Sequence, residues 1–388
     1  MEQIRLGIIG IGNMGSEHCR MIMAGKTPEV MLCAVADPRP DRRAWAKEML
    51  PSGIAVFEDG EALIAAGLCD AVLIATPHYL HPKLSEKALR SGLHVLCEKP
   101  IGVYTEQLHG VLEAAQTCGK TFALMFNQRT NCIYRRLKEL LTSGELGEMK
   151  RVTWIITDWY RSQAYYDSGS WRATWDGEGG GVLLNQCPHQ LDLLQWLCGM
   201  PTAVRAFCHE GRWHDVEVED DVTAYLEFAG GASGVFIAST GELPGTNRLE
   251  ISCDGGKVVC EGGKLTLWRL PKPETAFRQG PEAYPQPRLA PEVLDTDGEN
   301  PQHAGVINAF AAHILHGAPL VADGVEGRNS LMLSNAMHLS AWTNATVSLP
   351  IDEAQFASLL AERRAGSRHK TTVDVTLTTD HSATGRAL

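Results

Sequence analysis

"GIIGIGNMG", residues 7–15, places three glycines directly after a short apolar run. Gly10, Gly12 and Gly15 fit the G-x-G-x-x-G pattern between a predicted strand and a predicted helix, where glycines allow a tight turn and let backbone N–H groups approach a pyrophosphate. Asp37 closes the next predicted strand about 20 residues further on, where a carboxylate accepts hydrogen bonds from ribose hydroxyls. The pattern predicts a dinucleotide site; the alternative is a glycine turn in a nucleotide-free α/β domain.

The side chains around Asp37 bear on which dinucleotide is bound. A carboxylate repels the additional phosphate of NADP, so Asp37 favours NAD. Arg39, Arg42 and Arg43 follow closely, and each of them could pair with that phosphate. The sequence therefore predicts NAD and leaves NADP open.

The first 125 residues alternate short β-rich runs with amphipathic helical stretches. Strands separated by helices of this length predict right-handed βαβ crossovers and a doubly wound parallel sheet. The predicted strands are Ile4–Ile9, Val30–Ala36, Ala55–Phe57, Ala71–Ala75, His94–Cys97 and Thr121–Met125.

The pattern changes after Phe126, where short strands follow one another with few helices between them. Runs such as "DVTAYLEFA", "ASGVFIAST" and "GKVVCEG" predict a large, mostly antiparallel open sheet in an α+β domain. The predicted organisation is a dinucleotide-binding domain at 1–126, a substrate-binding and oligomerisation domain at 127–365, and a C-terminal tail at 366–388.

Composition narrows the class of partner. The chain has 388 residues, enough for two domains, and a formal net charge of -11 without a basic stripe, which argues against nucleic acid or a membrane surface and favours a small molecule. Eleven cysteines without a C-x-x-C pair are typical of reduced thiols in a cytosol. No apolar run reaches about 18 residues, and no leader pattern precedes "IRLGIIG". We expect a cytoplasmic protein.

Two further motifs follow predicted strands, at the sheet edge where open α/β sheets bind ligands. In "LIATPHYLH", residues 73–81, we expect Thr76, Pro77, His78 and His81 to lie near the cofactor. His78 and His81 could serve as metal ligands, but no Asp, Glu or Cys cluster with ligand-like spacing accompanies them, so no metal is predicted.

The other motif is "CEKPI", residues 97–101. A lysine at this strand end, desolvated and facing a cationic nicotinamide ring, would have a lowered pKa suited to acid–base work. Lys99 is therefore a candidate catalytic residue. The alternative is a surface Glu-Lys pair before a proline.

"GGGVLLNQCPHQLD", residues 179–192, places an amide, an imidazole and a carboxylate in an apolar run. If the run is helical, Asn185, His189 and Asp192 share roughly one face, since positions i, i+4 and i+7 stack. His189 is the candidate base, with a buried core histidine as its alternative, and Asp192 is predicted to be structural.

Aromatic and arginine side chains crowd residues 158–175, immediately before the glycines. Sugars offer apolar C–H faces and many polar edges, which aromatic faces and forked donors match. The candidate lining residues, each of which could instead serve packing or an interface, are Tyr160, Trp171, Arg172 and, from "FNQR", Arg129. The acidic run "RWHDVEVEDD" is predicted to form a turn and a solvated strand edge.

These motifs, in this order and with the "SGELGE" turn, resemble the Gfo/Idh/MocA family of glucose-fructose oxidoreductases and inositol dehydrogenases. The resemblance implies an N-terminal Rossmann domain and a C-terminal domain whose open sheet often forms the oligomer interface. It implies that Lys99 and His189 line the nicotinamide pocket, with Asn13, Met14, Glu98 and Asn127 among the cofactor contacts. The commoner family pattern has Asp where this chain has Asn185, and an amide cannot take a proton.

The resemblance implies an NAD-dependent oxidoreductase that oxidises a secondary hydroxyl, at C3 of a sugar or glycoside, with His189 and Lys99 handling the proton. Two alternatives stay open. One is a redox-neutral glycosidase that passes through a transient keto-sugar, and the other is a dinucleotide-sensing protein without catalysis. A homo-oligomer, dimer or tetramer, is expected because an open sheet needs a cover.

Overall fold

The computed structural model describes residues 3–368 and Lys370, which divide into two compact units. The first unit contains the chain up to Thr130 together with Asn300–Leu331. The second contains Asn131–Glu299 and the described residues from Met332 onward. Most of the predicted tail, 366–388, lies outside the described residues.

The first unit is built on six strands, β1 Ile4–Ile9, β2 Val30–Ala36, β3 Ala55–Phe57, β4 Ala71–Ile74, β5 His94–Cys97 and β6 Phe122–Leu124. All pair in parallel in the order β3-β2-β1-β4-β5-β6, which confirms the predicted doubly wound sheet. The connecting helices are α1 Asn13–Met23, α2 Pro40–Met49, α3 Gly60–Ala65, α4 His81–Arg90 and α5 His109–Thr117.

A helix from much later in the chain completes this core. Helix α10, Gln302–His316, buries Val306, Ile307 and Phe310 in the same apolar cluster as the residues of β1. Residues 300–331 fall in the predicted second domain, 127–365, whereas the structure groups them with the first unit. The helical pattern of this segment shows that one face is apolar, but it does not show which core that face enters.

The second unit contains a nine-stranded sheet, in the order β14-β13-β12-β11-β7-β10-β9-β8-β15. Its strands are β7 Met149–Ile156, β8 Ala203–Glu210, β9 Glu219–Glu227, β10 Ser233–Ser239, β11 Asn247–Cys253, β12 Gly256–Glu261, β13 Lys264–Arg269, β14 Glu292–Leu294 and β15 Val347–Ser348. Strands β7 and β10 pair in parallel and the other neighbours are antiparallel, which confirms the predicted mostly antiparallel sheet.

Alternation along these strands sends one face into the core. Trp154 on β7 and Phe236 on β10 are fully buried, with ring centroids 6.4 Å apart. The remaining helices are α6 Cys132–Thr142, α7 Gln163–Asp167, α8 Pro188–Cys198, α9 Glu274–Arg278, α11 Gly327–Thr343 and α12 Glu353–Ala365. In the described part of the chain, no helix is both long and apolar enough to cross a bilayer.

Truncating Phe310 tests whether α10 belongs to the first core. Its side chain is 1% exposed, so Phe310→Ala should lower the free energy of unfolding of the first unit by about 3–5 kcal/mol through lost burial and a residual cavity. Urea unfolding measures the change. Tyr284→Ala, at an 89% exposed aromatic side chain, is the control and should change stability by about 0.5 kcal/mol or less. Equal effects of the two truncations would contradict the assignment.

Candidate active site

The glycine-rich turn joins β1 to α1 through two glycines that the fold requires and one that it does not. Gly10 has a φ of +87°, in the left-handed region. A Cβ on Gly15 would lie 1.9 Å from the carbonyl oxygen of Gly10, so no larger residue fits there. A Cβ on Gly12 would meet no atom within 4 Å. Gly12 therefore leaves open backbone at the N-terminus of α1, which fits a pyrophosphate.

Asp37 fastens this turn to the end of β2. Its carboxylate is 7% exposed and accepts hydrogen bonds from the backbone N–H groups of Ile11 (2.9 Å) and Arg39 (3.0 Å). The nearby arginines also have partners within the protein. Arg42 donates to the carbonyl oxygen of Ile11 (2.7 Å), and Arg39 pairs with Asp41 (2.7 Å). These contacts fix the carboxylate at the end of β2, beside the glycine-rich turn.

The segment that follows β4 is tied to the segment that follows β5. His81 is buried, and its ring nitrogens lie 2.7 Å from the carbonyl oxygens of Thr76 and Pro100. The structure thus gives His81 an internal role in holding the two turns. His78 is also buried, whereas Pro77 is exposed.

Lys99 follows β5 and is half-buried, and the preceding residue fixes its backbone. Glu98 is 5% exposed and accepts hydrogen bonds from the backbone N–H of Lys99 (3.2 Å) and from Nε2 of His18 (2.7 Å). His18 is fully buried on α1, and its ring centroid lies 5.5 Å from that of His303 on α10. The turn that carries Lys99 is therefore anchored to the helix of the glycine-rich turn.

The buried groups behind Lys99 have perturbed pKa values. Burial alone would raise the pKa of Glu98, but the hydrogen bond and charge of His18, with the charges of His303 and Lys99, outweigh it and lower the pKa. Burial lowers the pKa of His303 to about 4; the charge of Glu98 opposes this shift, and the charges of His18 and Lys99 act in the same direction as burial. At neutral pH, Glu98 is therefore an anion and His303 is neutral.

In the second unit, the predicted continuous helix carrying Asn185 and His189 is interrupted. A π-helical turn, Val182–Gln186, precedes α8, which begins at Pro188. Proline has no N–H to continue the hydrogen-bond ladder, and the N–H of Cys187 bonds back to the first carbonyl of the turn (2.8 Å). The prediction that Asn185 shares a regular helical face with His189 was wrong. His189 is 8% exposed on the first turn of α8, and Asn185 is half-buried.

A buried carboxylate from β9 holds the glycine run in front of this turn. Glu219 is 1% exposed and accepts hydrogen bonds from the N–H groups of Gly181 and Leu183, each at 2.9 Å. Nε2 of His338 lies 2.9 Å from its other oxygen. Asp220, beside it, receives three backbone N–H groups and the ring of His214. The prediction of a solvated edge was therefore wrong for these two carboxylates.

The aromatic segment before the glycines is internally organised. The guanidinium of Arg172 lies 4.6 Å from the ring centroids of both Trp171 and Tyr165, and it donates to the Tyr165 hydroxyl (2.9 Å). Tyr160 is 42% exposed. Arg129 lies in the first unit instead, where its buried guanidinium pairs with Glu326 (2.8 Å).

The predicted cofactor contacts all lie in the first unit, and Asn127, at its end, is fully buried and donates to Gln302. Asp192 is buried in α8 and accepts from Gln195 (3.0 Å), a structural contact. Sequence reasoning missed His18, Glu178, Glu219, His303 and His338. Over residues 3–368 and Lys370, no three His, Cys, Asp or Glu side chains are placed to hold a metal ion.

The first unit has the features of a dinucleotide-binding domain: an open glycine turn before α1, a hydrogen-bonded carboxylate at the end of β2 and a lysine after β5. A separate α+β unit accompanies it. Residues 4–126 match the family described as "Oxidoreductase family, NAD-binding Rossmann fold", and residues 134–259 match the "GFO/IDH/MocA C-terminal domain". The chain belongs to the Gfo/Idh/MocA family of oxidoreductases, with NAD as its dinucleotide.

Individual relatives agree with this assignment. The rhizopine catabolism protein MocA of Rhizobium meliloti is 32% identical over 206 residues, which are 53% of this chain and 61% of that protein. The D-glucoside 3-dehydrogenase of Escherichia coli K12 is 25% identical over 363 residues, 89% of this chain and 97% of that protein. The WlbA dehydrogenase of Bordetella pertussis, solved with NADH and UDP-GlcNAcA, is 26% identical with a TM-score of 0.77, over 90% of this chain and 100% of that one.

Alanine at two of the glycines should separate folding from NAD binding. Gly15→Ala should destabilise the first unit by roughly 1–3 kcal/mol or more, because its Cβ overlaps the carbonyl of Gly10. Gly12→Ala should unfold as the wild type does and lose at least about tenfold in NADH affinity, equivalent to about 1.4 kcal/mol. Urea unfolding and NADH fluorescence titration measure the two effects. Unchanged NADH affinity in Gly12→Ala would contradict the proposed pyrophosphate position.

His303 should make stability depend on pH. Its pKa is about 4 in the folded protein and about 6.5 in the unfolded chain, so the unfolded state binds more protons between these values. Stability should therefore fall as the pH drops from about 6.5 to about 4. In His303→Gln this contribution disappears, and the unfolding free energy should fall less over the same range. Urea unfolding across this range tests it, with exposed His209→Gln as the control; parallel curves for His303→Gln and the wild type would contradict the assignment.

Proposed function

We propose that this protein oxidises a secondary ring hydroxyl of a sugar or glycoside with NAD, with carbon 3 of a hexose ring as the favoured position. The observation that carries the proposal is the half-buried Lys99, fixed through Glu98 and His18 to the helix that begins at the glycine-rich turn. A lysine in this place suits a substrate oxygen beside the nicotinamide. The choice of carbon 3 draws on the similarity to D-glucoside 3-dehydrogenase.

The residues divide the chemistry between them. The turn at Gly12, the N-terminus of α1 and Asp37 would hold NAD, which would accept the hydride from the substrate carbon. Lys99 donates a hydrogen bond to the substrate oxygen and stabilises the negative charge that develops there. His189 accepts the hydroxyl proton, a task for which an unprotonated imidazole is suited near neutral pH.

Binding and orientation of the sugar fall to the second unit. The indole of Trp171 and the guanidinium of Arg172 offer an apolar face and forked donors, which match the C–H face and the hydroxyl edge of a pyranose. Tyr160, 42% exposed, adds a further aromatic face. The side-chain amide of Asn185 forms a hydrogen bond with a ring hydroxyl, as donor or as acceptor.

The first experiment incubates purified protein with NAD and a panel of free sugars and aryl glycosides. Absorbance of reduced nicotinamide and chromatography of the products are followed together. A rise in absorbance with a keto-sugar product is the expected result. Aglycone release without accumulating NADH would instead establish a redox-neutral glycosidase, and NADH binding without turnover of any sugar would favour a sensor.

Replacing Lys99 or His189 should strongly reduce turnover and leave NADH binding nearly unchanged. Lys99→Met removes the donor to the substrate oxygen and His189→Gln removes the proton acceptor, and each should lower kcat by roughly 10²–10⁴-fold, with the NADH dissociation constant changed less than about threefold. The matched controls, Lys264→Met and His209→Gln, remove an exposed lysine and an exposed histidine, and both should retain activity. Loss of NADH binding in both test variants would count against the roles assigned to Lys99 and His189.

The oligomeric state and the cellular location are two further proposals, each with its own basis. We propose that the open sheet of the second unit pairs with a second copy, because it exposes Phe207 and Tyr225, 54% and 46% exposed, on neighbouring strands β8 and β9. A cytoplasmic location stays a prediction from the cysteine usage. Sedimentation of the purified protein tests the oligomer.

A further inference from the structure

Glu178 is a buried carboxylate that the sequence did not single out, directly before the glycine run. It is 2% exposed. One of its oxygens, Oε2, accepts a hydrogen bond from the backbone N–H of Ala173 (2.6 Å). The other, Oε1, accepts one from the side-chain amide Nδ2 of Asn185. All three residues belong to the second unit.

The backbone at Ala173 is held in a conformation that favours glycine. Its φ is +50°, which is uncommon for a residue with a Cβ and persists where the surroundings enforce it. The N–H of Ala173 donates the hydrogen bond that Glu178 accepts. Trp171 and Arg172 immediately precede Ala173 in the chain. One carboxylate thus joins the aromatic segment to the turn that carries Asn185.

The contact also decides how the Asn185 amide is turned. An ionised carboxylate accepts hydrogen bonds and cannot donate them, whereas an amide has one donor branch and one acceptor branch. With its NH₂ branch bonded to Glu178, Asn185 directs its carbonyl oxygen Oδ1 away from that carboxylate. Position 185 is thereby set as a hydrogen-bond acceptor.

We propose that Glu178 is a positioning residue for the substrate: it fixes Asn185 as the acceptor for a sugar hydroxyl and couples it to the Trp171–Arg172 segment. This inference rests on the proposed function. It also accounts for the amide itself, because an aspartate at 185 would place two carboxylates in buried contact, and one of them would have to bind a proton.

Exchanging the two side chains provides the sharpest test. In Glu178→Gln, the oxygen of the new amide must still accept from the N–H of Ala173, so its NH₂ branch faces Asn185. Asn185 then turns its oxygen toward residue 178 and its NH₂ branch toward the substrate, and KM should rise about tenfold, the cost of one hydrogen bond. The double variant, Glu178→Gln with Asn185→Asp, restores an acceptor at position 185: the new amide at 178 donates to the new carboxylate at 185, and it can still accept from Ala173. Its KM should return to within about threefold of the wild type, whereas a KM as high as that of Glu178→Gln would overturn the proposal.

The single variant Asn185→Asp supplies a readout that a purely structural role would not move. A carboxylate at half-buried position 185 in contact with buried Glu178 would titrate with it as a pair, and the pKa of one of the two would rise. The pH profile of kcat/KM for Asn185→Asp should therefore show an additional ionisation that neither the wild type nor the double variant shows. A pH profile identical to the wild type would overturn the proposal. Glu282→Gln, at an exposed carboxylate, is the control and should leave KM unchanged.

Unfolding of the same four proteins separates this inference from the proposed function. If the two side chains act as a pair, the unfolding free energies should be coupled, with the double variant more stable than the sum of the single effects predicts. NADH affinity, set in the first unit, should be equal in all four. Coupled unfolding in a protein that oxidises no sugar would mean that the proposed function has failed and the pairing has not; uncoupled unfolding would overturn the pairing itself.

Discussion

A carboxylate taken out of water must receive hydrogen-bond donors, and the loops of this protein are arranged to supply them. Asp37 accepts hydrogen bonds from two backbone N–H groups, one in each of the segments it joins, and Glu219 accepts them from the N–H groups of Gly181 and Leu183. Glu98 takes one backbone N–H and one imidazole. Each of these anions fixes a loop that carries a residue of the candidate site. The loops hold their shape because the buried charge would otherwise be unpaired.

This arrangement explains which parts of the site the sequence predicted. The glycine-rich turn and Asp37 are local signals, since a fixed spacing after an apolar run determines what the backbone can do. The partners of the buried anions are not local: His18 lies far from Glu98 along the chain, and Gly181 lies far from Glu219. A single sequence gives no sign of which imidazole or which N–H meets which carboxylate, so these pairs came only from the structure.

Two of the wrong predictions have different physical origins. The helix through Asn185 and His189 was predicted from periodicity, but Pro188 lacks the N–H that a continuous helix needs, and a wider turn forms before it. A proline within the run was the available signal. Residues 300–331 were assigned to the second domain for another reason: their burial against β1 is a long-range contact that no local pattern shows. Periodicity gives the face that is buried and not its partner.

The return of α10 to the first core bears on how the protein is made. The six parallel strands leave the ribosome early, yet Val306, Ile307 and Phe310, which fill the apolar cluster around β1, follow only after the chain up to Glu299 has been synthesised. Until then the nascent sheet exposes the surface that this helix covers. The first unit therefore cannot complete its fold during translation until α10 has been synthesised. A gene fragment that ends at residue 126 would encode a core without this helix.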